Sequence, residues 1–286
     1  MKLSKFQKII LYLTLIAGIL LALIYLPSQK EKYLEVTTLD VGQGDAILIE
    51  TPYGQNILID GGPDNSVVYE VSRSLPFFER TIDLVILTHP DADHVTGLVE
   101  ILRRYEVKKM LYTGVVFGSQ NYVAFLKAVE KEGVEIGIVS EPNEINLGEN
   151  LKLNILYPNF LANNLEFEDV NDTSVVAKLS YGQIDFILTG DAPIEIEKEL
   201  LVSGVNLEAE VLKAGHHGSK TSSSVAFVQA VNPEYGVISV GKDNKFGHPN
   251  LRTLKTLETA GVKILQTSDL GDITFQSDGQ NLWLKK

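Results

Sequence analysis

The chain reads Thr88-His89-Pro90-Asp91-Ala92-Asp93-His94 between an apolar run at residues 82–87 and an amphipathic pattern that begins at residue 95. The apolar run has the length and β-branched content of a buried strand, and the amphipathic pattern is typical of a helix. Two imidazoles and two carboxylates therefore gather at a strand end, where ligands bind in open α/β sheets. The His-x-Asp-x-Asp-His spacing lets alternate side chains converge, which predicts a metal site. The alternative is a polar turn whose carboxylates cap the next helix, but a turn does not need two imidazoles.

Composition limits the ligands and partners of such a site. The 286-residue chain contains 44% hydrophobic residues, enough for one large domain or two small ones, and it has no cysteine. Any metal must therefore be held by His, Asp, Glu or Asn. The net charge of −12 argues against a surface that binds polyanions nonspecifically, so contact with nucleic acid would have to be local.

The N-terminus predicts a membrane segment. Lys2, Lys5 and Lys8 precede an uncharged run at residues 9–26, which is just long enough to span a bilayer. The positive-inside rule keeps the lysines cytoplasmic and places the rest of the chain outside the cytoplasmic membrane. A cleaved signal peptide, which would make the protein secreted, is the alternative, although no A-x-A-like site follows. We therefore expect an anchor or signal peptide at residues 1–30 and one domain at residues 31–286.

The remaining chain predicts two similar halves. Each half begins with a strand meander and continues with alternating strands and helices. Predicted strands cover residues 34–39, 46–50, 56–60, 82–87, 107–112, 134–139, 151–156, 174–179, 184–188 and 235–240, and helical periodicity covers 67–75, 95–105 and 122–131. The pattern favours two sheets packed face to face with helices outside.

All five histidines lie in loops at predicted strand ends. Further chemistry-bearing loops are Asn171-Asp172-Thr173-Ser174, Leu188-Thr189-Gly190-Asp191, His216-His217-Gly218-Ser219-Lys220 and Phe246-Gly247-His248-Pro249. Taken singly, His248 can be a structural residue and Asp191 an ordinary turn residue. Histidines placed for packing would not concentrate at strand ends, however, so the loops together predict one site. Asp45 and Asp60 also end strands and could support it.

In chain order these motifs resemble the metallo-β-lactamase superfamily, and more closely the hydrolase domain of ComEC-type competence (DNA-uptake) proteins. The motifs that carry the resemblance are Leu39-Asp40-Val41-Gly42-Gln43-Gly44-Asp45, Ile59-Asp60-Gly61-Gly62, the His89 to His94 cluster, Leu188-Thr189-Gly190-Asp191, His216-His217-Gly218-Ser219 and Phe246-Gly247-His248-Pro249. The resemblance covers nearly all of residues 34–286 and implies an αββα sandwich with a two-metal site. Asp91 stands where most of the superfamily has His, and Asn171 or Asp172 replaces another His. Both departures occur in the ComEC-like branch.

The resemblance also implies roles for the site residues. One metal would be held by His89, Asp91 and Asn171, the other by Asp93, His94 and His216, with Asp191 bridging them. His216 is preferred to His217 because related hydrolases carry a His-x-Gly-Ser/Thr pattern whose first position binds metal. The cofactors would be two divalent cations, Zn²⁺ or Mn²⁺, with Mg²⁺ as a further alternative because of the oxygen ligands.

The implied activity is metal-dependent hydrolysis of a phosphodiester, with DNA as the expected substrate and a water held between the metals as the nucleophile. His248, His217 and Asp93 would act in catalysis, and Lys213, Lys220, Lys242 and Lys245 could form a positive rim. Two alternatives remain open, an esterase for cell-envelope phosphodiesters such as phosphorylcholine decorations and a non-catalytic metal-binding or assembly module. The membrane would be contacted through residues 9–26, and nothing in the sequence indicates a protein partner.

Overall fold

The computed structural model describes residues 4–25 and 33–285, and the chain divides into two units, residues 1–32 and residues 33–286. The first unit contains one described helix, α1 (Lys5–Tyr25). Within residues 4–25 and 33–285, no helix is both long enough and apolar enough to cross a membrane. The predicted membrane span at residues 9–26 is therefore not supported, and Leu26, its last residue, lies outside the described residues. The extracytoplasmic location stays a prediction.

The second unit contains two β-sheets. Its strands are β1 (Leu34–Thr38), β2 (Ile47–Glu50), β3 (Asn56–Ile59), β4 (Thr81–Ile86), β5 (Glu106–Tyr112), β6 (Glu135–Ile138), β7 (Asn143–Gly148), β8 (Leu151–Tyr157), β9 (Val176–Tyr181), β10 (Ile184–Leu188), β11 (Val211–Lys213), β12 (Tyr235–Ile238), β13 (Lys263–Gln266), β14 (Ile273–Ser277) and β15 (Leu282–Leu284). The first sheet has the order β15-β14-β1-β2-β3-β4-β5-β6, and the second has the order β13-β12-β11-β10-β9-β8-β7. In each sheet an antiparallel meander leads into parallel strands, β3 to β6 in the first and β10 to β13 in the second.

Helices cover the outer face of each sheet. They are α2 (Ser66–Ser74), α3 (Ala92–Val95), α4 (Leu98–Arg104), α5 (Gln120–Glu132), α6 (Ile194–Ser203), α7 (Val225–Val231), α8 (Leu251–Thr259) and α9 (Thr267–Leu270). Alternation along β2 sends Ile47 and Ile49 into the core between the sheets, and Leu48 into the layer beneath α2, α4 and α5. A third apolar cluster joins the second sheet to α6, α7 and α8. The αββα sandwich is thus confirmed.

Some elements departed from the sequence pattern for identifiable reasons. β7 was not predicted because it is an edge strand with polar, exposed residues at Asn143, Glu144 and Asn146, so it lacks apolar periodicity. The predicted helix at residues 95–105 is divided into α3 and α4 around Gly97. A Cβ at Gly97 would collide with the carbonyl oxygens of Gly61 and Asp64, so the chain approaches its neighbours too closely there for any larger residue.

Candidate metal centre

The candidate site lies where strand ends of both sheets meet. Asp60 follows β3 and His89 follows β4 in the first sheet, whereas Asp191 and His217 lie in the loops after β10 and β11 in the second. β3 and β4 are parallel, as are β10 and β11, so the loops after each pair leave the same edge of their sheet. Donor atoms of His89, His94 and Asp191 lie within 4.8 Å of one another. The fold thus brings together loops that are far apart in the sequence.

Backbone contacts fix the loop at residues 88–94 beneath the site. The Asp45 amide donates to the Asp93 carbonyl at 3.1 Å, and the Gly61 amide donates to the His94 carbonyl at 2.7 Å. A Cβ at Gly44 would collide with the Asp93 carbonyl oxygen. Glycine is therefore needed at this position so that two loops can pack backbone against backbone.

The carboxylates of this loop face histidines instead of the helix that follows. Asp91 is the N-cap residue of α3, but its side chain accepts no capping hydrogen bond. Asp91 Oδ2 is 3.6 Å from His89 Nε2, and Asp93 Oδ2 is 3.2 Å from His217 Nε2. The alternative in which these carboxylates only cap a helix is therefore not supported.

Three buried histidines present the same ring nitrogen to the site. In each of them Nδ1 contacts an oxygen of the chain. The partner of His89 is Thr88 Oγ1 at 3.0 Å, that of His94 is Asp60 Oδ2 at 2.8 Å, and that of His217 is the Ser239 carbonyl at 2.9 Å. The three Nε2 atoms are buried and have no hydrogen-bond partner among the described residues. A ring held at Nδ1 with a free Nε2 has the orientation of a metal ligand.

The donor atoms are spaced like ligands of shared cations. Asp191 Oδ1 is 3.4 Å from His94 Nε2, and Asp191 Oδ2 is 3.4 Å from His217 Nε2. Two donors at ~2.0–2.1 Å from one tetrahedral Zn²⁺ are about 3.3 Å apart. Asp191 has a donor atom within 4.8 Å of His89 and of His94, which belong to different metals in the predicted ligand sets, and this is the arrangement expected of a bridging carboxylate. The residues present therefore fit a pair of divalent cations.

The structure separates the roles of two adjacent histidines. His216 (φ 49, ψ 51) and His217 (φ 52, ψ 30) both have left-handed backbone, a strained conformation that is concentrated at functional sites. His217 is buried, whereas the His216 side chain is 29% exposed and its Nε2 is 3.7 Å from Asp191 Oδ2. Among the described residues, the groups of donors within 4.8 Å include His217 and not His216. The geometry therefore favours His217 as the ligand, in contrast to the sequence preference for His216.

The Asn171-Asp172 segment forms a 3-10 turn over Val170–Thr173. The turn lies beside the histidine loop, because the Val175 amide donates to the Thr88 carbonyl at 3.0 Å. Asn171 Oδ1 is buried without a hydrogen-bond partner among the described residues, whereas Asp172 is half-buried. Asn171 is the better candidate for an oxygen ligand, and its contact with a metal stays a prediction.

The centre carries an excess of negative charge. Its carboxylates belong to Asp45, Asp60, Asp91, Asp93 and Asp191, and its buried ammonium belongs to Lys213. When the histidines are neutral, as metal ligands are, five carboxylates against one ammonium leave four negative charges, which two divalent cations would neutralise. Burial acts to lower the pKa of His217, but Asp191 and Asp45 together outweigh burial and raise it to about 9. In the metal-free protein this imidazole therefore holds a proton that a cation would displace.

Lys213 belongs to the centre and not to a surface rim. It is 1% exposed, forms an ion pair with Asp45, donates to the Gly190 carbonyl at 2.9 Å and lies 3.6 Å from Asp191 Oδ1. The prediction that it contributes to a positive rim is wrong, because β11 is buried along its whole length. The other lysines proposed for the rim, Lys220, Lys242 and Lys245, are exposed, and their role in substrate binding stays a prediction.

His248 lies beside the paired histidines. Its ring centre is 5.4 Å from that of His216 and 6.4 Å from that of His217. The Asn244 side chain fixes the loop, accepting from the His248 amide at 3.0 Å and donating to the His248 carbonyl at 2.7 Å. Burial, followed by the charges of His216 and His217, lowers the pKa of His248. A neutral, half-buried imidazole at this position can exchange a proton with a bound substrate.

Two hydroxyl residues of the site were not predicted to have a role. Thr88 Oγ1 donates to Asp60 Oδ2 at 2.7 Å and so holds the carboxylate that orients His94. Ser239 Oγ donates to the Gly44 carbonyl at 2.7 Å and ties the two sheets together. Each is a small hydroxyl residue directly after a buried strand and close to a histidine-bearing loop, and this was the signal available in the sequence.

Known proteins share both the sequence pattern and the fold. Residues 39–242 match the family model of the metallo-beta-lactamase superfamily. The chain is 30% identical over 262 residues to ComE operon protein 3 of Bacillus subtilis, an alignment that covers 85% of this chain and 33% of that protein. It is 28% identical over 252 residues to competence protein ComA of Neisseria gonorrhoeae, covering 86% of this chain and 32% of that protein. The chain thus spans about a third of the length of these curated relatives.

A solved structure gives the same fold at lower identity. Igni18, described as a novel metallo hydrolase from the hyperthermophilic archaeon Ignicoccus hospitalis, is 16% identical to this chain with a TM-score of 0.55. The alignment covers 86% of this chain and 100% of that chain. At this level of identity the similarity establishes the fold alone.

Proposed function

The chain belongs to the metallo-beta-lactamase superfamily, and from this premise we propose that it is a di-metal phosphodiesterase that acts on DNA. Superfamily membership and the clustered His and Asp donors support a metal-dependent hydrolase. The curated relatives, which are competence proteins by name, support the nucleic-acid substrate. The observation that carries the proposal is the set of buried Nε2 atoms of His89, His94 and His217, which face carboxylates and lack hydrogen-bond partners among the described residues.

We assign the first cation to His89, Asp91 and Asn171 and the second to Asp93, His94 and His217, with Asp191 shared between them. When bound, two divalent cations supply Lewis acidity and activate water at neutral pH. The oxygen ligands of Asp91 and Asn171, at positions where the superfamily commonly has imidazole, favour Mn²⁺ or Mg²⁺ relative to Zn²⁺.

The chain supplies orientation and proton transfer around this centre. Asp60, held by Thr88, fixes the ring of His94 so that Nε2 faces Asp191. His248 is the group that we propose orients the leaving oxygen or passes a proton to it, because its partial exposure leaves the ring open to substrate beside the paired histidines.

Metal content and hydrolysis test the proposal together. Elemental mass spectrometry of the purified chain should give two equivalents of metal, and assays with bis-p-nitrophenyl phosphate, single-stranded DNA and double-stranded DNA should show turnover. Asp191→Asn should lose both equivalents and turnover, because it removes the anionic ligand that the cations share. The control is Asp64→Asn. Asp64 is exposed, and asparagine keeps an oxygen that accepts from the Ser66 amide. Retention of both metals and full activity in Asp191→Asn would refute the dinuclear centre and favour a binding module.

A second pair of variants decides between the adjacent histidines. His217→Ala should lose one equivalent of metal, because its buried Nε2 faces both Asp93 and Asp191. His216→Ala should retain two equivalents. The reverse result would restore the assignment of His216 as the ligand.

A further inference from the structure

A second candidate site runs along α2, and its arginines lie at the opposite end of the first sheet from the metal centre. It is a cavity of about 550 Å³ beside α2, here called the arginine groove, and the lining residues used below are Asn65, Tyr69, Ser72, Arg80, Arg104 and Tyr105. Arg80 immediately precedes β4, and His89 lies just after the other end of this strand. A six-residue strand spans about 20 Å, so Arg80 and the metal centre are separated by roughly that distance.

Few carboxylates neutralise the positive charge of the arginines in the groove. Among residues 33–285, no carboxylate forms an ion pair with Arg80, whose guanidinium carbon is instead 5.9 Å from the ring centre of Phe77 and 5.7 Å from that of Tyr105. Arg104 shares one carboxylate, that of Glu100, with Arg103, at 3.2 Å and 2.6 Å respectively. In a chain of net charge −12, such guanidinium groups favour an anionic ligand at this end of the molecule.

Exposed aromatic rings lie in this cavity or next to its Arg80. Phe77 and Phe78 are 87% and 86% exposed in the loop that leads to Arg80, and Tyr69 on α2 is 63% exposed. Adjacent apolar side chains that are exposed to this extent are typical of an interaction site. Tyr105 is buried, and its hydroxyl has no hydrogen-bond partner of good geometry among the described residues, so a polar atom of a ligand could satisfy it.

Rings next to guanidinium groups have the chemistry that single-stranded nucleic acid requires, because the rings stack on bases and the guanidinium groups bind phosphates. A membrane could accept the two phenylalanines, but it would not fill a cavity that is also lined by the polar side chains of Asn65 and Ser72. We propose that the arginine groove binds a nucleotide unit of single-stranded nucleic acid. The substrate class rests on the proposed function, and the groove adds recognition of a single strand away from the metals.

The separation of the two sites sets a length requirement. A stacked strand advances about 3.4 Å per nucleotide, so covering about 20 Å takes about six nucleotides. Shorter oligonucleotides reach Arg80 or the metal centre but not both. Turnover of single strands should therefore rise with length up to this value and then level off.

Binding is measured apart from hydrolysis. Fluorescence anisotropy with a labelled oligothymidylate of about twelve nucleotides, on the full chain in EDTA, reports affinity without cleavage. Arg80→Gln and Phe77→Ala should each weaken binding at least tenfold, and Arg80→Gln should reduce the salt dependence by about one phosphate contact. Arg103→Gln is the matched control, since Arg103 is exposed beside Arg104 at the end of α4 and does not line the cavity. Thermal unfolding of all three variants should match the parent chain, because the substituted residues are exposed.

The outcomes separate the groove from the metal centre. Hydrolysis of bis-p-nitrophenyl phosphate, which is too small to reach both sites, should be unchanged in Arg80→Gln. Equal oligothymidylate affinity in the parent chain, Arg80→Gln and Phe77→Ala overturns the groove and leaves the phosphodiesterase proposal standing. Oligothymidylate binding that depends on Arg80, in a chain that hydrolyses no phosphodiester, supports the groove and overturns the proposed function. Arg80-dependent binding to phosphatidylserine vesicles, without binding to oligothymidylate, also overturns the groove.

Discussion

Lys213→Met tests the buried ion pair beneath the metal centre. Methionine has nearly the length of the lysine side chain and removes its charge, so the change creates little empty volume. It leaves the Asp45 carboxylate, which is 2% exposed, without its ammonium partner and the Gly190 carbonyl without a donor. Removing one partner of a buried ion pair costs about 3–5 kcal/mol. For a domain of this size we therefore expect the melting temperature of the metal-free protein to fall by roughly 6–20 °C.

Urea unfolding followed by circular dichroism, with EDTA present, measures the decrease in the free energy of unfolding. Lys213→Met/Asp45→Asn should recover much of the stability, because neither buried charge then remains. Two further effects distinguish this account from a simple packing defect. Metal affinity should rise in Lys213→Met, because Asp191 loses an ammonium group 3.6 Å from Oδ1, and the stability difference should narrow when metal is added. Wild-type stability for Lys213→Met in EDTA would refute the reasoning, as would a double variant that is less stable than the single one.

Three further predictions concern other parts of the chain. His248→Ala should keep two equivalents of metal while turnover falls about a hundredfold to ten-thousandfold, and a matching loss of metal would exclude a proton-transfer role. Glu50 faces Glu35 across β1 and β2, and burial, followed by the charge of Glu35, raises the pKa of Glu50 to about 7. Because the pKa of Glu50 is raised in the folded state, its protonated form contributes stability to the folded chain that is fully present below the unfolded pKa. This contribution is lost as the pH rises through about 7. Glu50→Gln should therefore stabilise the chain by about 1–2 kcal/mol at pH 8, after allowance for screening, and have little effect at pH 4, as urea unfolding at both pH values would show. Gly97→Ala should destabilise the chain by about 1–3 kcal/mol in the same assay, because the added methyl meets two carbonyl oxygens, and an unchanged midpoint would show that the backbone relaxes.

The sequence predicted the parts of the fold and site that depend on local pattern. Alternation and apolar runs located β2, β4 and β10, and the concentration of histidines at strand ends located the loops of the centre. It did not predict β7, because a polar edge strand has no periodicity to detect. It also placed Lys213 at the surface, although the apolar residues before it in β11 were the signal for burial.

The choice between His216 and His217 could not be made from residue type, because both are histidine and adjacent. The choice depends on two left-handed backbone conformations and on the position of the Ser239 carbonyl, which belongs to another strand end. Neither the backbone conformations nor the position of this carbonyl can be predicted from the residues next to the two histidines. In the same way, the link between Thr88 and Asp60 joins two loops that only the pairing of β3 with β4 brings together.

The pairing of β1 with β14 places the two ends of residues 33–285 side by side. The rings of Tyr33 and Trp283 are 5.6 Å apart, and Lys285 Nζ lies 2.9 Å from Glu35 Oε2. β1 begins at the end of the first sheet that is far from the metal centre, whereas β15 runs parallel to β1 and Lys285 lies at the level of Thr37, because its amide donates to the Thr274 carbonyl. A polypeptide that carries this domain as an insertion would therefore enter it on β1 and leave it on β15, two strands that both pair with β14.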